Sequence, residues 1–231
     1  MAHPTAARAA RDYFPLQAMP IPPIPAKICG LTRPEDAAEA VRLGARYLGV
    51  IFAGGPRQVS AGTARSIVRN AANVPVLGVF GSQGADEILS VRDQTGLAGA
   101  QLHQGGSPEL VARLLADGLQ VVVVVHLSGD EDLHRLNELK TLGSALLVEP
   151  RVPGKLGGTG VPLPIDLARR ARERLAGHRM WLAGGLTPET VADTVCLVQP
   201  DVVDVSSGVE QIPGIKDHRR MARFMEVLGW V

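Results

Sequence analysis

Four side chains of this chain are of the right types to move a proton or grip an anion, and each lies at or just past the end of a short aliphatic run. Cys29 ends Ala26-Lys27-Ile28-Cys29, Arg57 follows the run around Val50, His103 ends Ala100-Gln101-Leu102-His103, and Glu149 ends Leu146-Leu147-Val148-Glu149. A thiolate and a carboxylic acid facing each other across a substrate suit proton transfer, the base removing a carbon-bound proton while the acid protonates an oxygen. A free thiol titrates near about 8.5, so Cys29 needs nearby positive charge to serve as the base. Lys27 shares its inward face one layer deeper. It is not expected to assist the thiol, and stands as a candidate buried counter-charge. Taken alone, a cysteine ending an apolar strand is one more small buried hydrophobe; its company decides otherwise.

That company includes two anion-binding turns. Leu182-Ala183-Gly184-Gly185-Leu186 and Asp204-Val205-Ser206-Ser207-Gly208-Val209-Glu210 each follow a buried run. Glycines let backbone N–H groups approach an anion, and serine hydroxyls add donors. Either turn alone reads as a tight bend; the pair reads as a phosphate site formed by Gly184, Gly185, Ser206, Ser207 and Gly208. A third glycine-rich stretch, Pro153-Gly154-Lys155-Leu156-Gly157-Gly158-Thr159-Gly160, has the composition of a loop that closes over a substrate and adds amide donors at Gly158 and Gly160. It is not a P-loop, because Lys155 precedes the glycines instead of ending the motif.

Residues so far apart must be gathered by the fold. From Ala26 onward a short aliphatic strand, a turn and an amphipathic helix repeat. Strands are expected near 26–29, 47–52, 75–80, 99–103, 120–126, 144–149, 179–183 and 202–206. Helices are expected near 34–43, 60–72, 84–95, 107–117, 130–140, 163–176, 187–198 and 217–228. Eight parallel βα units close a (βα)8 TIM barrel, whose active sites lie at the C-terminal strand ends and whose phosphate site sits after strands 7 and 8. Thr32-Arg33-Pro34-Glu35 has capping-box spacing, and Ser107-Pro108-Glu109 and Thr187-Pro188-Glu189 carry a cap followed by proline. A doubly wound sheet is disfavoured because no Gly-x-Gly-x-x-Gly follows the first strand.

The chain divides into a proline-rich extension, residues 1–24, and a barrel domain, residues 25–231. Its 231 residues, 45% hydrophobic and 20% charged, describe an ordinary soluble protein. A net charge of +1 gives no warrant for a nucleic-acid partner, and no stretch suits a membrane span. Two distant cysteines, Cys29 and Cys196, fit a reducing, cytoplasmic setting. Cys196 is expected in the core on the apolar face of helix 7, and Asp204 is expected to orient the serine loop. His126, His134, His178 and His218 are isolated in sequence and read as surface or capping residues, so no metal is expected.

The stretches Lys27-Ile28-Cys29-Gly30-Leu31-Thr32, Pro56-Arg57-Gln58-Val59-Ser60, Gln101-Leu102-His103 and Pro153 to Gly160, together with the two anion-binding turns, resemble phosphoribosylanthranilate isomerase of tryptophan biosynthesis, in family order. The resemblance implies a cofactor-free barrel that performs an Amadori rearrangement on a small phosphoribosyl arylamine, as a monomer or homodimer. It implies Cys29 as general base, Arg57 at the anthranilate carboxylate, His103 lining the same side, and the two turns as phosphate cradle. The general acid falls on Glu149, where the family has aspartate. One added methylene moves the proton by roughly 1 Å, a shift that can cost about 10²-fold in rate. Two further departures are Leu163-Pro164-Ile165, where the family carries Phe-Asp-Trp, and Gln104 with the glycines after His103. Three readings follow: the anthranilate isomerase, a paralogue acting on another phosphoribosyl arylamine, and a catalytically silent phosphosugar binder.

Overall fold

The computed structural model describes residues 23–152 and 160–231. The expected extension, apart from Pro23 and Ile24, and the glycine loop 153–159 with Gly158 lie outside the described residues. The fold opens at Ile24, whose carbonyl accepts a hydrogen bond from Trp230 Nε1 at 2.6 Å.

Eight parallel strands, β1 (Ala26–Ile28), β2 (Tyr47–Ile51), β3 (Val76–Phe80), β4 (Gly99–Leu102), β5 (Gln120–Leu127), β6 (Ala145–Pro150), β7 (Met180–Leu182) and β8 (Val202–Val205), form a closed barrel in sequence order. Around them lie α1 (Pro34–Arg42), α2 (Ala61–Asn70), α3 (Ala85–Thr95), α4 (Pro108–Ala116), α5 (Asp130–Leu139), α6 (Ile165–Arg174), α7 (Val191–Val198) and α8 (His218–Val227). The expected (βα)8 architecture is therefore the observed one. None of the described helices is long and apolar enough to cross a membrane.

Two apolar clusters hold the layers together. The larger lies between strands and helices and is built of Leu, Val, Ile and Ala, with Phe224 and Met225 from α8. The smaller fills the barrel interior with Leu77, Val122, Val124, Ala145, Leu147, Trp181 and Val202. Strand alternation then fixes what else faces inward: Val122 and Val124 share the inner face of β5 with His126, and Ala145 and Leu147 share that of β6 with Glu149.

Helix starts follow local chemistry only in part. Ser107 caps α4 by accepting from Leu110 N at 3.2 Å, as its spacing predicts. Thr32 does not cap α1. The N-cap is Arg33, without a side-chain bond, and Thr32 Oγ1 donates instead to Gly214 O. Thr187 and Thr190 bond within a turn, so α7 begins only at Val191. The buried stripe of α7 is Val191, Val195 and Val198. Cys196 falls off the stripe and is exposed, contrary to expectation.

After β8 comes a feature that the βα repeat does not predict. A 3₁₀ turn (Ser207–Val209) leads into an antiparallel hairpin, β9 (Glu210–Ile212) and β10 (Ile215–Lys216). The hairpin folds back on the first βα unit: Lys216 N and His218 Nε2 both bond the buried carboxylate of Asp36 in α1.

Candidate active site

The C-terminal strand ends surround one cavity of about 540 Å³, lined by Cys29, Arg57, Gln101, His103, Glu149, Asp204 and the Gly184-Gly185 and Ser206-Ser207-Gly208 turns. Gly160 also reaches its wall.

Cys29 sits beside a buried lysine whose protons are all used. Lys27 Nζ donates to Cys29 Sγ at 3.0 Å, Gln101 Oε1 at 2.7 Å and Asp204 Oδ2 at 2.8 Å, which accounts for all of its protons. Room for this cluster comes from β2. A Cβ on Gly49 would stand 2.7 Å from Cys29 Sγ and 2.9 Å from Lys27 Cε, so a side chain there would displace both. Burial opposes the Lys27 charge, but Asp204 and Cys29 outweigh it and hold the ammonium above its ordinary range. Burial pushes the Cys29 thiol up, against the pull of Lys27. Two expectations are corrected here. Lys27 is the direct partner of the thiol and not a remote charge, and Asp204 pairs with Lys27 instead of bracing the serine loop. Asp204 Oδ1 is buried without a hydrogen-bond partner among the described residues.

Across the cavity, Glu149 stands among imidazoles. His126 Nε2 lies 2.9 Å and His103 Nδ1 3.5 Å from the same carboxylate oxygen, Oε1. Neither contact is aligned as a hydrogen bond: Glu149 Oε1 and His103 Nε2 are both buried without a partner among the described residues. The two rings meet edge to face, with centroids 5.0 Å apart. Burial holds His103 below the ordinary histidine range, with the nearby Glu149 charge only partly compensating. Despite Pro150, the ladder continues, because Arg151 N donates to Leu127 O at 2.9 Å.

His126 is the residue missed by reading histidines as isolated. The β5–β6 register pairs it with Glu149, and its parity with Val122 and Val124 marks an inward position that the sequence already contains.

Arg57 is anchored at the rim by a carboxylate. Its Nε and Nη2 bond Glu210, the latter at 2.7 Å, and Nη1 has no bond among the described residues. Lys216 Nζ joins them, reaching Glu210 Oε1 at 2.8 Å and Ser206 O at 3.1 Å. Burial raises Glu210, but Arg57 and Lys216 prevail and hold its carboxyl below the ordinary range. Neither Glu210 nor Lys216 stood among the candidates, since the hairpin carrying them was not anticipated. Beside them Ser206 Oγ is buried and unpartnered among the described residues, a donor facing the cavity's anion-binding end. Gly208 lets the two turns touch backbone to backbone, for any Cβ there would collide with the Leu186 carbonyl.

Comparison with known proteins follows this geometry. A family model described as N-(5'-phosphoribosyl)anthranilate (PRA) isomerase matches residues 26–227. A curated relative of that name from Symbiobacterium thermophilum is 38% identical over 216 residues, spanning 86% of this chain and 95% of the relative. Another from Roseiflexus castenholzii is 38% identical over 209 residues, spanning 86% and 95%. Among solved structures, a phosphoribosyl anthranilate isomerase from Thermotoga maritima superposes with a TM-score of 0.80 at 32% identity, covering 90% of this chain and 100% of that one. A further isomerase structure of this name, in complex with reduced 1-(o-carboxyphenylamino)-1-deoxyribulose 5-phosphate, gives a TM-score of 0.77 at 30% identity over the same shares.

Proposed function

The chain belongs to the N-(5'-phosphoribosyl)anthranilate isomerase family, and from that premise we propose that it converts N-(5'-phosphoribosyl)anthranilate to 1-(2-carboxyphenylamino)-1-deoxyribulose 5-phosphate in tryptophan biosynthesis. The observation that carries the assignment of roles is the lining of one cavity by Cys29 and Glu149, with both anion-binding turns at its rim. Phosphate is gripped by the amides of Gly184, Gly185 and Gly208 and the hydroxyls of Ser206 and Ser207, with Gly158 and Gly160 adding amides from the glycine loop. Lys216 contributes positive charge behind Ser206.

Glu149, protonated, gives its proton to the furanose ring oxygen. The ring C–O bond breaks, the nitrogen lone pair forms the imine at C1, and Glu149 is left as carboxylate. Cys29, as thiolate, takes the C2 proton, giving a neutral enolamine that becomes the ketose as C1 gains a proton and the C2 hydroxyl gives one up. No atom is lost, as an isomerisation requires. Lys27 stabilises the thiolate that burial disfavours. Arg57, fixed by Glu210, directs its remaining Nη1 edge at the anthranilate carboxylate, and His103 packs on the same side. The chain works in the cytoplasm as a monomer or homodimer.

The test is turnover of phosphoribosylanthranilate by wild type, Cys29→Ala and Glu149→Gln. Each substitution is expected to lower kcat by about 10²–10⁴-fold, the range for loss of an acid or base. Turnover unchanged in both variants overturns the roles, and no turnover by folded wild type overturns the activity. Turnover confined to a phosphoribosyl arylamine with a different aglycone would favour the paralogue reading, which the buried Leu163 and the Pro164 N-cap of α6 support where the family carries Phe-Asp-Trp. Binding of phosphosugar without turnover would favour the silent binder.

A further inference from the structure

We propose that His103, His126 and Glu149 form a binding site for a divalent transition-metal ion of the zinc type at the mouth of the barrel, and that the ion competes with substrate for Glu149. Metal binding stands independently of the isomerase assignment; the competition rests on it.

Each of the three residues offers one ligand atom, and these atoms all lie within 4.8 Å of one another. Two imidazoles and one carboxylate, with a fourth position open to water or substrate, are a donor set that zinc favours. Tetrahedral zinc with bonds of about 2.0–2.2 Å sets its donors roughly 3.3 Å apart. The two contacts to Glu149 Oε1, 2.9 Å from His126 Nε2 and 3.5 Å from His103 Nδ1, bracket that spacing. With all three donors within 4.8 Å of one another, small side-chain turns close the remaining spread. His126, 23% exposed, is the least buried of the three, while His103 and Glu149 are buried.

The angular arrangement distinguishes this cluster from a histidine bracing a carboxylate. A bracing histidine would aim its N–H at the oxygen. Here the 2.9 Å contact is short, yet Glu149 Oε1 is buried without a hydrogen-bond partner among the described residues. Buried polar groups are nearly always hydrogen-bonded, and each exception calls for an explanation such as an ion. The strand framework supplies rigidity, since His126 and Glu149 are paired residues on adjacent strands and His103 directly follows β4.

The test uses the full chain freed of metal with a chelator. ZnCl₂ is titrated calorimetrically, and CoCl₂ reports coordination through its visible absorption. Wild type is expected to bind one equivalent of Zn²⁺, and Co²⁺ to give four-coordinate bands without sulfur-to-metal charge transfer. Loss of an outer-shell partner typically weakens a metal site by 10–100-fold, so removing a ligand by His126→Ala or Glu149→Gln is expected to weaken binding by at least about 100-fold. His134→Ala and Cys196→Ser, outside the cluster, are expected to bind as wild type does. His126→Gln, closer in shape, replaces His126→Ala if the latter fails to fold by circular dichroism. Absence of saturable binding, binding undiminished without His126, or a sulfur charge-transfer band overturns the site. In turnover assays Zn²⁺ is expected to raise KM with the midpoint seen by calorimetry; inhibition that persists in the folded His126 variant overturns the competition. If wild type shows no turnover at all, the binding measurements still decide the metal site.

Discussion

The two walls of the cavity are bonded in opposite ways. Around Cys29, Lys27 spends all its protons on three acceptors, and Gly49 opens the space that makes this possible. Around Glu149, two histidines crowd one carboxylate oxygen with no aligned hydrogen bond, and a ring nitrogen is left over. A donor with every proton placed rigidifies what it holds, whereas an unpartnered buried acceptor keeps bonding capacity that something else must use, and among the described residues Asp204 Oδ1 keeps some of it on the Cys29 side as well. The proposed base is therefore positioned before any ligand arrives, and the wall of the proposed acid keeps room for what binds there.

The contrast can be broken by experiment. Lys27→Met leaves Asp204 buried without its cation, and loss of one partner of a buried pair costs about 3–5 kcal/mol. A urea midpoint lowered to match is expected, and an unchanged midpoint would show that the network is not holding the barrel floor. On the acid wall the effect belongs to rate. Glu149→Asp withdraws the carboxyl by one methylene from surroundings fitted to glutamate, and kcat is expected to fall about 10²-fold, roughly 2.7 kcal/mol, with the midpoint nearly unmoved. An Asp variant as fast as wild type would mean that His103 and His126 do not define the position of the acid.

The smallest effect sharpens the comparison through pH. The working form of Cys29 is the thiolate, and burial raises its titration above the ordinary thiol value. In the Glu149→Gln variant, where the acid no longer titrates, the thiolate fraction alone grows with pH, so the residual kcat/KM is expected to climb about tenfold per pH unit on this limb. A limb that levels off below the ordinary thiol range would show that Lys27 outweighs burial.

Much of this was legible in the sequence. Aliphatic runs, helix spacing and turn glycines marked the eight βα units, and position at strand ends marked Cys29, Arg57, His103, Glu149 and the two turns. What escaped depended on register and on long-range pairing. The Lys27–Asp204 bond joins residues 177 apart, and neither side chain announces the other. His126 was obscured because a lone histidine invites a surface reading; only counting alternation from Val122 turns it inward. Cys196 lies outside the core because the packed stripe runs through Val191, Val195 and Val198, and several apolar residues in a row leave the choice of face open in the sequence. The β9–β10 hairpin was too short to give a periodic signal.

That hairpin also orders events during synthesis. Arg57 meets Glu210 across 153 residues, and Asp36 meets Lys216 and His218 across 180 and 182. Chains grow from the N-terminus at about 5–20 residues per second, so the arginine waits unpaired for roughly 8–30 seconds before its carboxylate exists. A nascent chain that has completed its eighth strand but not its hairpin has a floor without a finished rim, so the rim's ion pairs wait on one of the later segments the ribosome delivers.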